Sequence, residues 1–121
     1  MKKEIKTMDE IKELVDKFYA HVNADNLLSP VFNVEAKLDW DEHLPKMYKF
    51  WGTQLIGTGD YSGRPFPPHT LLNINKTHFE RWIELFLKTV DENFTGAVAE
   101  IAKEKAKNIA TVFQFKLGLI K

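Results

Sequence analysis

The residues of this 121-residue chain that could do chemistry are four scattered histidines (His21, His43, His69 and His78), three tryptophans and three tyrosines, with no cysteine among them. The lack of cysteine rules out a disulfide framework, a thiolate metal site and a thiol nucleophile. There is no His-Glu-x-x-His pair, no phosphate-binding glycine loop and no nucleophile elbow. A zinc site could use His69 and His78 with an acid, but the two lack tight ligand spacing. His69 stands apart from the others. Pro67 and Pro68 lie directly before it, and two fixed rings limit how far the following backbone can swing.

The stretch that must position His69 runs from Gly57 to Thr77 and carries three glycines and three prolines in its first half. A helix cannot continue through it, and so long a connection between helical patterns is usually functional or disordered. Tyr61, Phe66, Leu71, Leu72 and Ile74 supply apolar anchors, so the stretch reads as ordered.

Helical patterns flank it on both sides. Thr7-x-x-Glu10 has the form of a capping box, and Ile11, Leu14, Val15, Phe18 and Val22 repeat at helical spacing, predicting a helix from about Met8 to Asn23. Tyr19 falls on the edge of that stripe, where a tyrosine by pattern alone keeps its hydroxyl in water. Ser29-Pro30 reads as a cap and first turn for a short helical piece ending near Asn33. Asp39, Asp41 and Glu42 open a third segment, whose apolar residues from Trp40 to Leu55 make a stripe wide enough to be buried on two flanks. Pro45 conflicts with it, because an interior proline costs about 3 kcal/mol; the regular helix should start late or kink just before that residue. Thr77-x-x-Glu80 reads as a second capping box before Phe79, Trp82, Ile83, Phe86, Leu87 and Val90. Phe94-Thr95-Gly96 breaks that helix. A last one should run from Ala97 to about Lys116, with Val98, Ile101, Ala102, Ile109, Val112 and Phe113 inward. The class is all-α, one domain over residues 1–121, with four main helices around an aromatic-rich interior.

Formal net charge is zero, which argues against a dedicated nucleic-acid binder. No apolar run is long enough to cross a bilayer, and the charged first residues lack a signal-peptide core, so a cytoplasmic protein is the default expectation.

A haem site asks for little: one neutral imidazole, an apolar slot and a tunable opposite face. His69 beside buried helices could meet that demand, although a lone histidine is more often structural or exposed. Several segments are more specific. Phe18-Tyr19, Ser29 to Asn33, His43 to Trp51, Gly59-Asp60-Tyr61 with Gly63-Arg64-Pro65, His69, and His78-Phe79-Glu80-Arg81-Trp82 occur in one order along nearly the whole chain. Together they resemble the group III truncated haemoglobins.

That resemblance implies a truncated globin-like two-over-two helical sandwich with a much reduced first helix and a long irregular proximal loop, and it makes Pro45 a family feature. It implies haem b, with His69 as the proximal iron ligand. Tyr19 and Trp82 resemble the distal hydrogen-bonding pair, and His43 the distal histidine, able to gate the pocket. Phe18, Phe32, Met47 and Trp51 resemble the packing of the haem and distal wall, a role compatible with plain core packing. Lys46, Tyr61, Arg64 and Arg81 are candidate partners for the haem propionates.

The expected function is binding of O2, NO and CO at a His-ligated iron by a monomer without nucleic-acid or membrane partners. Reversible binding for storage, sensing or delivery competes with turnover as NO dioxygenation or peroxide chemistry. Turnover would require a separate reductase. A cofactor-free helical interaction module is the alternative, and it would need an exposed apolar patch in place of a filled pocket.

Overall fold

The computed structural model describes residues 2–35, 37, 39–57 and 74–118. His69, Tyr61, Arg64 and most of the glycine- and proline-rich connection lie outside the described residues. The elements are α1 (Met8–Ala24), a π-helical segment (Val31–Glu35), α2 (Trp40–Ile56), α3 (Lys76–Asn93) and α4 (Ala97–Lys116). α1 packs on α2 and α3, α3 packs on α4, and α2 also touches α4, giving the all-α two-over-two arrangement. Among the described residues the only β feature is an isolated bridge between Lys3 and Phe94.

α1 begins where the capping box places it. Thr7 accepts from the Asp9 N–H at 3.3 Å, and the Thr7 N–H donates to Glu10 at 2.9 Å. Its buried stripe includes Ile11, Leu14, Val15, Phe18 and Val22, as the spacing predicts. It also takes in Tyr19, which is 7% exposed rather than at the water boundary. The stripe is wider than a simple i, i+3, i+4 reading because α1 is covered from two sides, by α2 and by α3.

The next turn is capped by Asp25 and not by Ser29. The Asp25 carboxylate accepts from the backbone N–H groups of Leu27 and Leu28, at 3.1 and 3.0 Å. The same carboxylate accepts from Arg81 Nε at 2.6 Å and so ties α3 to the end of α1. Burial works to raise the Asp25 pKa, but the guanidinium and the two N–H donors outweigh it and hold the group below its usual range. A depressed folded-state pKa means that this stabilisation is complete above the ordinary carboxylate range and is lost as pH falls through the folded value. Asp25→Ala is expected to cost about 2 kcal/mol, combining a lost cap with a broken charge-assisted bond. Urea titrations should show that deficit at pH 7 and see it shrink toward pH 3.

α2 runs unbroken from Trp40 with Asp39 as its cap, and Pro45 lies inside it; the late start does not occur. Pro45 is sixth from the start, so it removes a single ladder bond near the helix end, the one to the Asp41 carbonyl, while the acidic first turn and the Asp39 cap hold that end. Gly57 ends the helix in the left-handed conformation at φ +68°. Only Phe50, Trp51 and Gly52 are buried on α2. Trp40, His43, Leu44, Met47 and Leu55 are half-buried, so the stripe borders a cleft instead of a closed core.

α3 starts one residue earlier than Thr77 because Asn75 is the cap. Its side chain accepts from the Thr77 N–H at 2.9 Å, while its own N–H donates to His78 Nδ1 at 3.1 Å. α4 keeps its predicted bounds, but its inner face is Ala99, Ala102, Ala106, Ala110 and Phe113. Ile101 and Val112 are 45% and 46% exposed. Small residues at i, i+3 and i+4 spacing let α4 approach α3 closely; Ile101 and Val112 are turned outward, while Val98 and Ile109 pack half-buried on the core as expected. Gly96, at φ +96°, precedes α4, and a Cβ there would lie 2.9 Å from Glu4.

Candidate functional site

Phe18 is the hub of an aromatic assembly contributed by three helices. It is 1% exposed and touches Tyr19 at 5.0 Å, Trp82 edge-on at 5.5 Å and Phe86 at 5.1 Å between ring centroids. Trp51 of α2 stacks on Phe86 at 4.9 Å, and Trp82 stacks on Phe86 from α3 itself at 5.8 Å. The rings interlock as a stack of Trp51, Phe86 and Trp82 with Phe18 edge-on to it, the stacked and edge arrangements that ring quadrupoles favour. Phe86, the centre of the stack, carried no functional signal in the sequence because it reads as one more apolar position of α3.

Two polar groups border Phe18. The Tyr19 hydroxyl lies 3.4 Å from His43 Nε2, and their rings meet edge to face at 5.4 Å. Burial pushes the Tyr19 phenol far above the ordinary tyrosine range, so it keeps its proton and remains a donor. Trp82 is half-buried, and its indole N–H has no hydrogen-bond partner among the described residues. An apolar ring cluster flanked by one buried hydroxyl and one half-buried indole N–H suits a planar, apolar cofactor whose small ligand needs donors. The residues present are compatible with such a cofactor, and His69, the expected proximal ligand, lies outside the described residues.

The other predicted residues divide. Phe32 packs edge-on against Tyr19 at 6.0 Å, and Met47 is packed half-buried on the core. Lys46 is exposed and pairs with Glu42 one turn away at 3.1 Å, a solvated surface pair. Arg81 is committed to Asp25 and, at 3.1 Å, to Glu84, so its position serves the joint between α1 and α3. Trp40 was missed as a site residue. It lies 5.2 Å from Tyr19 and 5.5 Å from His43, and its indole N–H donates to Asn33 Oδ1 at 2.8 Å. A tryptophan in the first turn of a helix, three residues before a candidate histidine, was the available signal.

Behind Tyr19, a cleft of about 370 Å³ opens between α1 and α2, with Trp40, Leu44 and Tyr48 on its α2 side. Tyr48 closes one end by donating a short hydrogen bond to Asp16.

The sequence model of a family described as bacterial-like globin matches residues 3–116. The group 3 truncated hemoglobin ctb of Campylobacter jejuni is 32% identical over 118 residues, covering 94% of this chain and 93% of that protein. The crystal structure of the group III truncated hemoglobin from Campylobacter jejuni superposes with a TM-score of 0.86 at 33% identity, covering 97% of this chain and 95% of the other.

Proposed function

The chain belongs to the bacterial-like globin family, whose general role is to hold haem for a small ligand, and from that premise we propose that it is a haem-b protein binding O2, NO and CO. His69 is the proximal ligand of this proposal. Its second ring nitrogen would bond a carbonyl or water, which fixes the tautomer. Bound haem supplies the iron at which a diatomic ligand coordinates.

The chain's own residues do the rest. Phe18, Phe32, Met47 and Trp51 keep water from the distal side, and the low dielectric they create strengthens any hydrogen bond made there. Tyr19 and Trp82 supply the donors, and His43 stands across the Tyr19 hydroxyl as the movable partner. Tyr61 and Arg64 remain the candidate propionate partners, in preference to Lys46 and Arg81, which have carboxylate partners of their own. The observation that supports the reading most is the packing of both Tyr19, buried, and Trp82, half-buried, against the ring of Phe18.

Two strong donors favour ligand retention, which suits turnover better than delivery. The proposal therefore extends to NO dioxygenation or peroxide chemistry by a cytoplasmic monomer served by a separate reductase. None of the described helices is long and apolar enough to cross a membrane. Titration with haemin tests the binding role: a strong Soret band saturating at one haemin per chain is expected, and a flat titration defeats it. Rapid mixing of the oxygenated protein with NO under reducing conditions tests turnover. Sustained nitrate production is the expected result, and a stop after one equivalent leaves a binder.

A further inference from the structure

The contact between Tyr19 and His43 is long. At 3.4 Å it sits at the outer limit of a hydrogen bond and is weak by itself. A packed neighbour can add to it. Trp40 is the candidate, because it lies three residues before His43 on the same face of α2 and packs edge-on against it at 80°. It also packs on Tyr19 and Phe32, so one indole touches every ring of the cluster around His43.

Trp40 is half-buried, and exposure on one side would leave its ring free to turn were it not anchored. The anchor is Asn33. Its Oδ1 accepts the indole N–H at 2.8 Å, and its Nδ2 donates to Asn23 Oδ1 at 2.9 Å and to the Ser29 carbonyl at 3.0 Å. Ser29 O is the carbonyl that an α-helix would offer to the Asn33 backbone N–H. Here it takes the side-chain amide, and the backbone over Val31–Glu35 is π-helical. A π turn at this place is the kind of local departure that often marks a functional site. Asn23, Asn33 and Trp40 thereby link α1, the π segment and α2 in one chain of hydrogen bonds.

We propose that Trp40, locked by Asn33, is the positioning residue that holds His43 closed against Tyr19, so that the Asn23–Asn33–Trp40 relay sets how often the distal side opens. The inference rests on the reading of Tyr19 and His43 as the distal pair. Asn33→Leu removes the acceptor and the donors together. Asn33→Asp keeps an acceptor for the indole, and Asn23 can turn its amide to donate to the new carboxylate.

The test uses the haem-loaded protein and three readouts. In Asn33→Leu and Trp40→Phe, the CO association rate should rise about three- to tenfold, the population shift expected from losing one modest hydrogen bond. The Fe–CO stretch should gain a second band from the open conformer, and the proton NMR contact between the Trp40 and His43 rings should weaken in Asn33→Leu. Asn33→Asp should restore the wild-type rate and the single band. A merely structural relay would lower thermal stability and leave rate and bands alone, and that result overturns the proposal. So does an Asn33→Asp protein that behaves like Asn33→Leu. A wild type without an Fe–CO band would instead overturn the haem reading on which the inference rests.

Discussion

His69→Ala protein titrated with haemin is expected to lose the Soret band of the wild type and to bind haemin at least about a hundredfold more weakly, about 2.8 kcal/mol at 1.4 kcal/mol per tenfold. The structure explains why neither a thiolate nor another histidine should stand in. The chain has no cysteine. Of the three remaining histidines, His78 is committed through Nδ1 to the cap of α3, and His21 lies on the surface 3.6 Å from Glu92. His43 faces the Tyr19 hydroxyl on α2. Removing His69 thus removes the histidine that the family resemblance makes the proximal ligand, while the other three have contacts of their own. The loss should be chemical and not a failure to fold, which His69→Gly can establish. Added free imidazole should restore a Soret band to that variant, and far-ultraviolet circular dichroism should match the wild type. If His69→Ala titrates as the wild type does, the proximal assignment is wrong.

The sequence revealed helices more readily than it revealed what faces inward. Helix α1 and helix α4 were legible because Thr7-x-x-Glu10 and the Phe94-Thr95-Gly96 break are local signals, and the structure places both ends accordingly. The caps at Asp25 and Asn75 were not. Each competed with a neighbouring match, Ser29-Pro30 and Thr77-x-x-Glu80, and only the tertiary position of the carboxylate or the His78 ring decides between them. The inner face of α4 was misjudged for a related reason. Bulk suggested Ile101 and Val112, while close approach to α3 requires alanine. Pro45 was tolerated because the helix it interrupts is held at its start by Asp39. Within the candidate site, Tyr19 and Trp82 were identifiable only through family resemblance. Periodicity put Tyr19 at a water boundary, and it took the packing of both α2 and α3 on α1 to bury it.

Tyr19→Phe and Trp82→Phe should each speed O2 dissociation about five- to thirtyfold, since a hydrogen bond in a dry site contributes about 1–2 kcal/mol and 1.4 kcal/mol is a tenfold change. The two donors differ in what the free protein does with them. The Tyr19 hydroxyl already has a neighbour in His43 Nε2, so turning it to a diatomic ligand exchanges one hydrogen bond for another. The Trp82 N–H has no partner among the described residues, so it has no described protein hydrogen bond to exchange when a ligand arrives. Trp82→Phe should therefore show the larger effect on dissociation, and Tyr19→Phe should also free His43, changing association as well. Because the Tyr19 pKa is displaced far upward by burial, raising the pH from 7 to 9 should cause no loss of this donor through ionisation of the phenol. Stopped-flow replacement of O2 by CO measures these rates directly. Unchanged dissociation in both variants would remove the hydrogen-bond account of the distal side. An effect in Tyr19→Phe alone would mean that the indole N–H points away from the ligand, leaving the phenol and His43 to act as a pair.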